Sequence, residues 1–309
     1  MDNQLEEGLK QAYTLLEKGD PKAAKEILAE LIEFNLDNSE INFALWCCAY
    51  WIDFIQKLPE MIPSEQGEGL FYRWKSFENE LTSRKEVFEQ AIYAIQTGIF
   101  TLALTDFSAL ENQHDTAQKA DAFLKSGICC KKLGKYEDAL AKLTEANMLV
   151  PSSARVLAEM ADCYALCGLE KQAKVLFREA FFIDAQKIDL TFLDSELIKC
   201  LITQVEQKGY KGAELKEWIP VYGVLYGVFN IKRELRSQEV GKLKQHIFEA
   251  EMEIKNPANN LLILTPRLIN MYFWLMDHYV QKNDSGSKIN DILLKIKIMD
   301  RDVYDLYVK

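Results

Sequence analysis

The sequence is poor in the residues and motifs from which catalytic and metal sites are usually built. It has only three histidines, and its seven cysteines include no CxxC pair that recurs at metal-ligand spacing. It also lacks the HExxH, GxSxG and GxGxxG motifs and a glycine-rich phosphate loop ending in lysine and serine or threonine. These absences predict a protein that is not an enzyme and that uses no cofactor and no metal.

A long hydrophobic stretch is missing as well. The most apolar short run, Val221 to Phe229, is far below the roughly 20 residues that a membrane span requires. The N-terminal stretch is acidic and amphipathic, without the basic start and apolar block of a secretory signal. An odd number of cysteines does not suit a disulfide framework. Together these features predict a cytoplasmic protein without membrane insertion.

Positive charge is scarce relative to negative charge. The formal net charge is −10, which disfavours a broadly basic surface and therefore predicts no nucleic-acid partner. Hydrophobic residues make up 49% of the 309 residues, which is enough to bury a large core.

What the chain does contain is a 34-residue pattern that occurs twice in succession between Ala120 and Lys187. Small residues at fixed positions let two antiparallel helices approach closely, and bulky residues fill the space that remains. The positions of the first copy and their counterparts in the second are Phe123, Gly127, Cys130, Gly134, Tyr136, Ala139, Leu143, Ala146 and Pro151, followed by Leu157, Ala161, Tyr164, Gly168, Glu170, Ala173, Phe177, Ala180 and Ala185. Gly134 and Gly168 are predicted to end the first helix of each copy, and Pro151 to stop a second helix.

This spacing and these residue types resemble the tetratricopeptide repeat. The resemblance implies an all-α, right-handed superhelical solenoid of antiparallel helix pairs that binds other proteins. In the same frame, the solenoid is predicted to span residues 1–187. Its helix-pair units are about 5–38, 39–83, 84–119, 120–153 and 154–187.

The second unit departs from the pattern. Pro59, Pro63, Gly67 and Gly69 predict an inserted loop over residues 59–69. Inserted loops in solenoids often lie on the binding face, so the insertion is either a structural detour or a recognition loop.

The pattern fades after residue 187. Residues 188–256 are predicted to form a degenerate repeat and capping helices, and residues 257–309 a helical hairpin. Apolar residues in that hairpin step by three and four, which is typical of short coiled-coil seams. The two seams either meet each other or are used by a second copy or a partner helix.

The resemblance implies that the first helix of each unit lines a concave groove. Carried over position by position, the groove would be lined, beside Leu9, by Tyr13, Leu16, Phe43, Tyr50, Phe88, Ile92, Ile95, Leu124, Ile128, Lys131, Lys132 and Asp162. In the first three units these side chains are uncharged and mostly large, whereas Lys131 and Lys132 are predicted to face Asp162. An apolar groove of this kind suits an amphipathic helix or an extended peptide of another protein.

Three alternative functions are compatible with this interpretation of the sequence. The first is a scaffold or adaptor that captures a segment of a partner protein in the groove. The second is a structural subunit that self-associates or docks through its C-terminal helices, and the third is an enzyme with a hidden site. A large apolar strip is costly in water, so the alternative for the groove is that other segments of the same chain fill it.

Overall fold

The computed structural model of the chain describes residues 2–34, 36–283 and 286–309. About 80% of the chain is helical, and the described residues include no strand, which confirms the predicted all-α class. No helix within these ranges is long and apolar enough to cross a membrane. The chain divides into two compact units, Met1–Pro151 and Ser152–Lys309, here called unit 1 and unit 2.

Unit 1 is built from helices that begin, in several cases, directly after a capping side chain. Asn38 accepts a hydrogen bond from the backbone N–H of Ile41, and Asp115 accepts one from the N–H of Gln118. The helices are α1 (Asp2–Glu17), α2 (Pro21–Phe34), α3 (Ser39–Lys57), α4 (Pro63–Thr82), α5 (Glu89–Leu110), α6 (Thr116–Lys132) and α7 (Tyr136–Leu149).

Helix α5 is the centre of unit 1, since it contacts α1, α3, α4 and α6. On the α1 side, Gly98 lies against the backbone carbonyl of Leu16, where no side chain would fit. On the α4 side, the ring of Phe100 packs edge-on against Trp74 with ring centroids 5.1 Å apart, and Phe107 packs against Phe71 at 5.0 Å. The core of unit 1 therefore forms around one long helix.

The predicted unit 84–119 contains this one long helix and the first residues of α6, rather than a helix pair of its own. Helix α5 continues through Gly98 as far as Leu110. Gly98 allows a close approach to α1 and does not form a turn. No glycine or proline follows it within α5, so nothing in the local sequence ends the helix there.

The predicted inserted loop over 59–69 is wrong for most of its length. A short 3₁₀ turn covers Leu58–Glu60, and α4 then begins at Pro63, a proline in the first turn of a helix. Gly67 and Gly69 lie inside α4, where a Cβ atom would come within 2.7 Å of the rings of Phe107 and Phe54 respectively. These glycines allow α4 to pack closely against neighbouring rings. A count of loop-forming residues cannot tell a glycine with this role from a glycine in a turn.

Unit 2 has a core that gathers around one apolar helix. Its helices are α8 (Ala154–Leu166), α9 (Glu170–Asp184), α10 (Glu196–Glu206), α11 (Gly212–Leu225), α12 (Ser237–Glu253), α13 (Leu261–Gln281), α14 (Gly286–Met299) and α15 (Arg301–Tyr307). Helix α13 contacts α11, α12 and α14, and it is buried along most of its length. A charged cluster fastens residues 226–236 to this core: Arg178 and Lys232 both pair with Asp277, and Arg233 pairs with Glu179 and Glu239.

Several predicted helix ends are confirmed. Gly134 and Gly168 follow α6 and α8 with φ values of +73° and +75°, a left-handed conformation that glycine adopts without strain. Helix α7 ends at Leu149, before Pro151. Each of the two clear 34-residue copies therefore contains two helices separated by a glycine turn.

The C-terminal region differs from the prediction in one respect. The residues of both predicted seams that face inward, such as Tyr272 on α13 and Ile296 on α14, are buried in unit 2. The last predicted helix is divided at Asp300, whose carboxylate accepts a hydrogen bond from the N–H of Val303 at 2.9 Å and so caps α15. The predicted connection before α14 includes residues 284 and 285, which lie outside the described residues.

Candidate interaction cleft

An open cleft of about 1080 Å³ lies in unit 1 along one face of α1, and the first turns of α3 and α5 complete its walls. It is called the α1 cleft below. Its lining residues are Glu6, Glu7, Leu9, Lys10, Tyr13, Thr14, Glu17, Glu40, Glu89, Gln90 and Tyr93.

Helical spacing explains how the side chains reach the cleft. On α1, Glu6, Lys10, Tyr13 and Glu17 follow one another by four, three and four residues, so they share one face of the helix. On α5, Glu89 and Tyr93 lie one turn apart. The close approach of α1 and α5 at Gly98 brings these two faces into one surface.

Tyr13 forms the floor of the α1 cleft. The side chain is buried, and its hydroxyl donates a hydrogen bond to the Glu40 carboxylate at 2.7 Å. Burial raises the pKa of the Tyr13 phenol, and the hydrogen bond to Glu40 raises it further. The phenol therefore stays neutral at physiological pH and ties α1 to the first turn of α3.

The lining is acidic and partly aromatic. Five glutamates and one lysine give it a net charge of −4 at neutral pH. Tyr93 is 61% exposed, and Leu9 is half-buried. The cleft thus offers negative charge and a small amount of apolar surface, rather than the apolar groove that the sequence predicts.

A second cleft of about 730 Å³ lies between the start of α3, the end of α4 and the segment that precedes α5. In this second cleft, the rings of Phe43 and Phe88 lie 5.7 Å apart, and the guanidinium of Arg84 lies 3.6 Å from the centre of the Trp46 ring. Its lining residues are Ser39, Asn42, Phe43, Glu80, Ser83, Arg84, Lys85, Glu86 and Phe88.

None of the residues predicted to line the groove is exposed. The buried ones are Tyr13, Leu16, Phe43, Ile95, Leu124, Ile128, Lys131, Lys132 and Asp162. The half-buried ones are Leu9, Tyr50, Phe88 and Ile92. Leu9 and Tyr13 line the α1 cleft, and Phe43 and Phe88 line the second cleft. Whether any of them contacts a partner stays a prediction.

Two of the predicted groove residues, Tyr50 and Asp162, make their contacts within the chain itself. Tyr50 packs against Phe77 of α4 with ring centroids 5.1 Å apart, and the guanidinium of Arg73 lies 4.3 Å from the centre of its ring. The carboxylate of Asp162 accepts hydrogen bonds from the backbone N–H groups of Asp194 and Ser195, both at 2.8 Å. The predicted approach of Lys131 and Lys132 to Asp162 stays a prediction.

The sequence reasoning missed the charged residues of the α1 cleft, above all Glu6, Glu17 and Glu89, and the exposed Tyr93. The alignment with the 34-residue pattern placed other side chains of these helices in the groove. A signal was present, since Glu6 and Glu17 share a helical face with Tyr13. The sequence contained no indication that α1 and α5 lie side by side, and this arrangement brings the glutamates together.

Most of the cysteines are buried, and Cys167 and Cys200 are exposed. All seven cysteines are free thiols, and burial raises the pKa of Cys48 to about 12, so this thiol stays protonated and unreactive. Within the described ranges, no group of three or more histidine, cysteine, aspartate or glutamate residues is arranged to hold a metal ion.

Comparisons with known proteins add no identification. No protein-family model matches the chain, and no curated protein matches it. Membership of the tetratricopeptide family therefore stays a prediction from the two 34-residue copies.

Proposed function

We propose that this protein is a non-enzymatic scaffold or adaptor that binds a helical or extended segment of another protein in the α1 cleft. The observation that carries the proposal is the cleft itself, an open space of about 1080 Å³ with walls from three helices. Enclosed, mostly apolar pockets suit small molecules, whereas a long open surface with polar walls suits a peptide segment laid along it.

The proposal also includes a tetratricopeptide-like arrangement of the helix pairs. The two 34-residue copies with their glycine turns support it. Leu9 and Tyr13, which the resemblance assigns to the groove of the first repeat, both line the cleft. The resemblance and the geometry therefore favour the same face of α1.

A steric block of the cleft tests the proposed function. Thr14 is exposed and lines the cleft, so Thr14→Trp fills the space without disturbing the core. Glu30→Trp, at an exposed position on α2, is the matched control. The tagged full-length chain and both variants would be used to capture proteins from native extract.

We expect at least one protein to be retained by the wild type and by Glu30→Trp but lost with Thr14→Trp. Retention of the same proteins by all three chains would show that the α1 cleft is not a docking site.

A second candidate function is self-association through α14, as a structural subunit of a larger assembly. Leu294 and Ile298 lie one turn apart on this helix and are 57% and 77% exposed. Large apolar side chains paired in this way favour contact with another surface. Sedimentation of the wild type and of Leu294→Lys/Ile298→Lys decides it: a dimer that the double variant loses supports this function, and a monomer in both cases rejects it.

A further inference from the structure

The acidic residues of the α1 cleft come from three separate helices. Glu6 and Glu17 lie at the two ends of one face of α1, about 16 Å apart along the helix axis. Glu40 reaches the cleft from α3 and Glu89 from α5. A solvated face of a single helix also carries glutamates, but it does not direct carboxylates from three helices toward one space.

These charges are not balanced within the part of the chain that the structure describes. The one lining lysine, Lys10, opposes five glutamates, and Glu6, Glu17 and Glu89 have no cationic partner within ion-pair distance among the described residues. Like charges around one low-dielectric wall repel one another and raise the local concentration of cations. A cationic guest removes this repulsion.

The aromatic and aliphatic lining residues indicate which apolar groups a bound segment would carry. Tyr93 presents an exposed ring next to Glu89, and Leu9 provides a half-buried aliphatic contact. An aromatic ring beside carboxylates is suited to an arginine or lysine, whose cation lies over the ring while its apolar stem covers the rest.

We propose that the α1 cleft recognises a cationic segment of a partner protein, in which lysine or arginine residues flank an apolar side chain. This inference rests on the proposed function and specifies the partner's chemistry. The apolar side chain contacts Leu9 and Tyr93, and the flanking cations face Glu6 and Glu17 at the ends of α1 and Glu89 across the cleft.

The test uses the full-length chain and two synthetic helical peptides as probes. Both peptides carry leucine at one i, i+4 pair, and the flanking positions are lysine in one peptide and glutamine in the other. Binding is measured by fluorescence anisotropy. We expect the lysine peptide to bind on the order of tenfold more tightly than the glutamine peptide, and its affinity to fall as salt screens the glutamates.

Matched charge variants locate the effect. Glu6→Gln/Glu89→Gln removes two cleft charges, whereas Glu26→Gln/Glu30→Gln removes two exposed charges on α2. We expect the cleft variant to bind the lysine peptide on the order of tenfold more weakly and the α2 variant to stay within about twofold of the wild type. Equal losses in the two variants would overturn the proposal, because the attraction would then come from the net charge of the whole chain.

The steric variant separates this inference from the proposed function. If the glutamine peptide binds as tightly as the lysine peptide and Thr14→Trp abolishes both, the cleft docks a peptide but charge recognition is wrong. If Thr14→Trp leaves the binding of both peptides unchanged, the cleft is not the docking site, and both the inference and the proposed function are overturned.

Discussion

The backbone carbonyl of Leu16 occupies the space that a side chain on Gly98 would need. The backbone of Gly19, one turn further along, is also in contact, with its nitrogen 3.0 Å from the same Cβ position. Since both neighbours are backbone atoms, no side-chain rotation can make room. The contact between α1 and α5, and with it the α1 cleft, depends on the absence of a side chain at this position.

Replacement of Gly98 is therefore expected to destabilise unit 1. Gly98→Ala forces α1 and α5 apart and lowers the free energy of unfolding by about 2 to 4 kcal/mol, at the upper end of overpacking costs. Gly241→Ala is the control, because Gly241 lies within helix α12 with open space around it. There alanine is expected to add about 0.5 to 1 kcal/mol of helix propensity. Urea unfolding measures both, and an unchanged midpoint for Gly98→Ala would contradict the close contact.

Loss of the hydrogen bond from Tyr13 to Glu40 is expected to lower the stability of the fold less than Gly98→Ala does. Tyr13→Phe removes the donor and keeps the ring, so it should lower the free energy of unfolding by about 1 to 2 kcal/mol, as expected for a hydrogen bond to a charged group. Tyr93→Phe, at an exposed ring, should change stability by less than about 0.5 kcal/mol. Equal unfolding curves for the two variants would show that the Tyr13 hydroxyl does not stabilise the link between α1 and α3.

Substitutions of Asp162 distinguish a structural role of its carboxylate from a role in partner binding. Asp162→Ala leaves the N–H groups of Asp194 and Ser195 without their acceptor in a buried site, at an expected cost of about 3 kcal/mol. Asp162→Asn retains one oxygen acceptor and should lose roughly half as much. Thermal unfolding measures both variants. A partner-binding role alone would leave the melting temperature of Asp162→Ala unchanged.

The ion pairs around residues 226–236 predict a pH dependence. Hydrogen bonds from the Arg233 side chain and from the Arg236 backbone N–H lower the pKa of Glu239 below its ordinary value. A carboxyl whose pKa is lowered by folding stabilises the folded state above its unfolded pKa of about 4.3, and this stabilisation is lost as the pH falls through the folded value.

Glu239→Gln should therefore be less stable than the wild type at pH 7, by about 0.5 to 1 kcal/mol for this partly exposed pair. The difference should shrink as the pH falls below about 4. Urea unfolding at a series of pH values and low salt, followed by circular dichroism, measures the difference. A stability gap that stays constant down to the lowest pH would contradict the ion-pair origin.

Part of the fold could be predicted from the sequence because local chemistry decides it. Glycine in a left-handed conformation ends a helix wherever it stands, so the helix ends at Gly134 and Gly168 were predicted correctly. Gly67 and Gly98 look the same in the sequence but lie inside helices. Their role depends on Phe107 and on the Leu16 carbonyl, which are distant in sequence, so local reasoning assigned Gly67 to a loop and did not predict the close contact at Gly98.

By itself, then, the sequence determined the all-α class, the helix ends near Gly134, Gly168 and Pro151 and the two copies of a 34-residue helix pair, since periodicity, capping and turn chemistry act over a few residues. Only the tertiary structure decided which helices lie side by side. It buried most of the side chains predicted to line an open groove and brought glutamates of α1, α3 and α5 around one cleft. The physical reason is that helix pairing depends on the fit of whole faces, such as α5 against the backbone of α1 at Gly98, which no short stretch of sequence encodes.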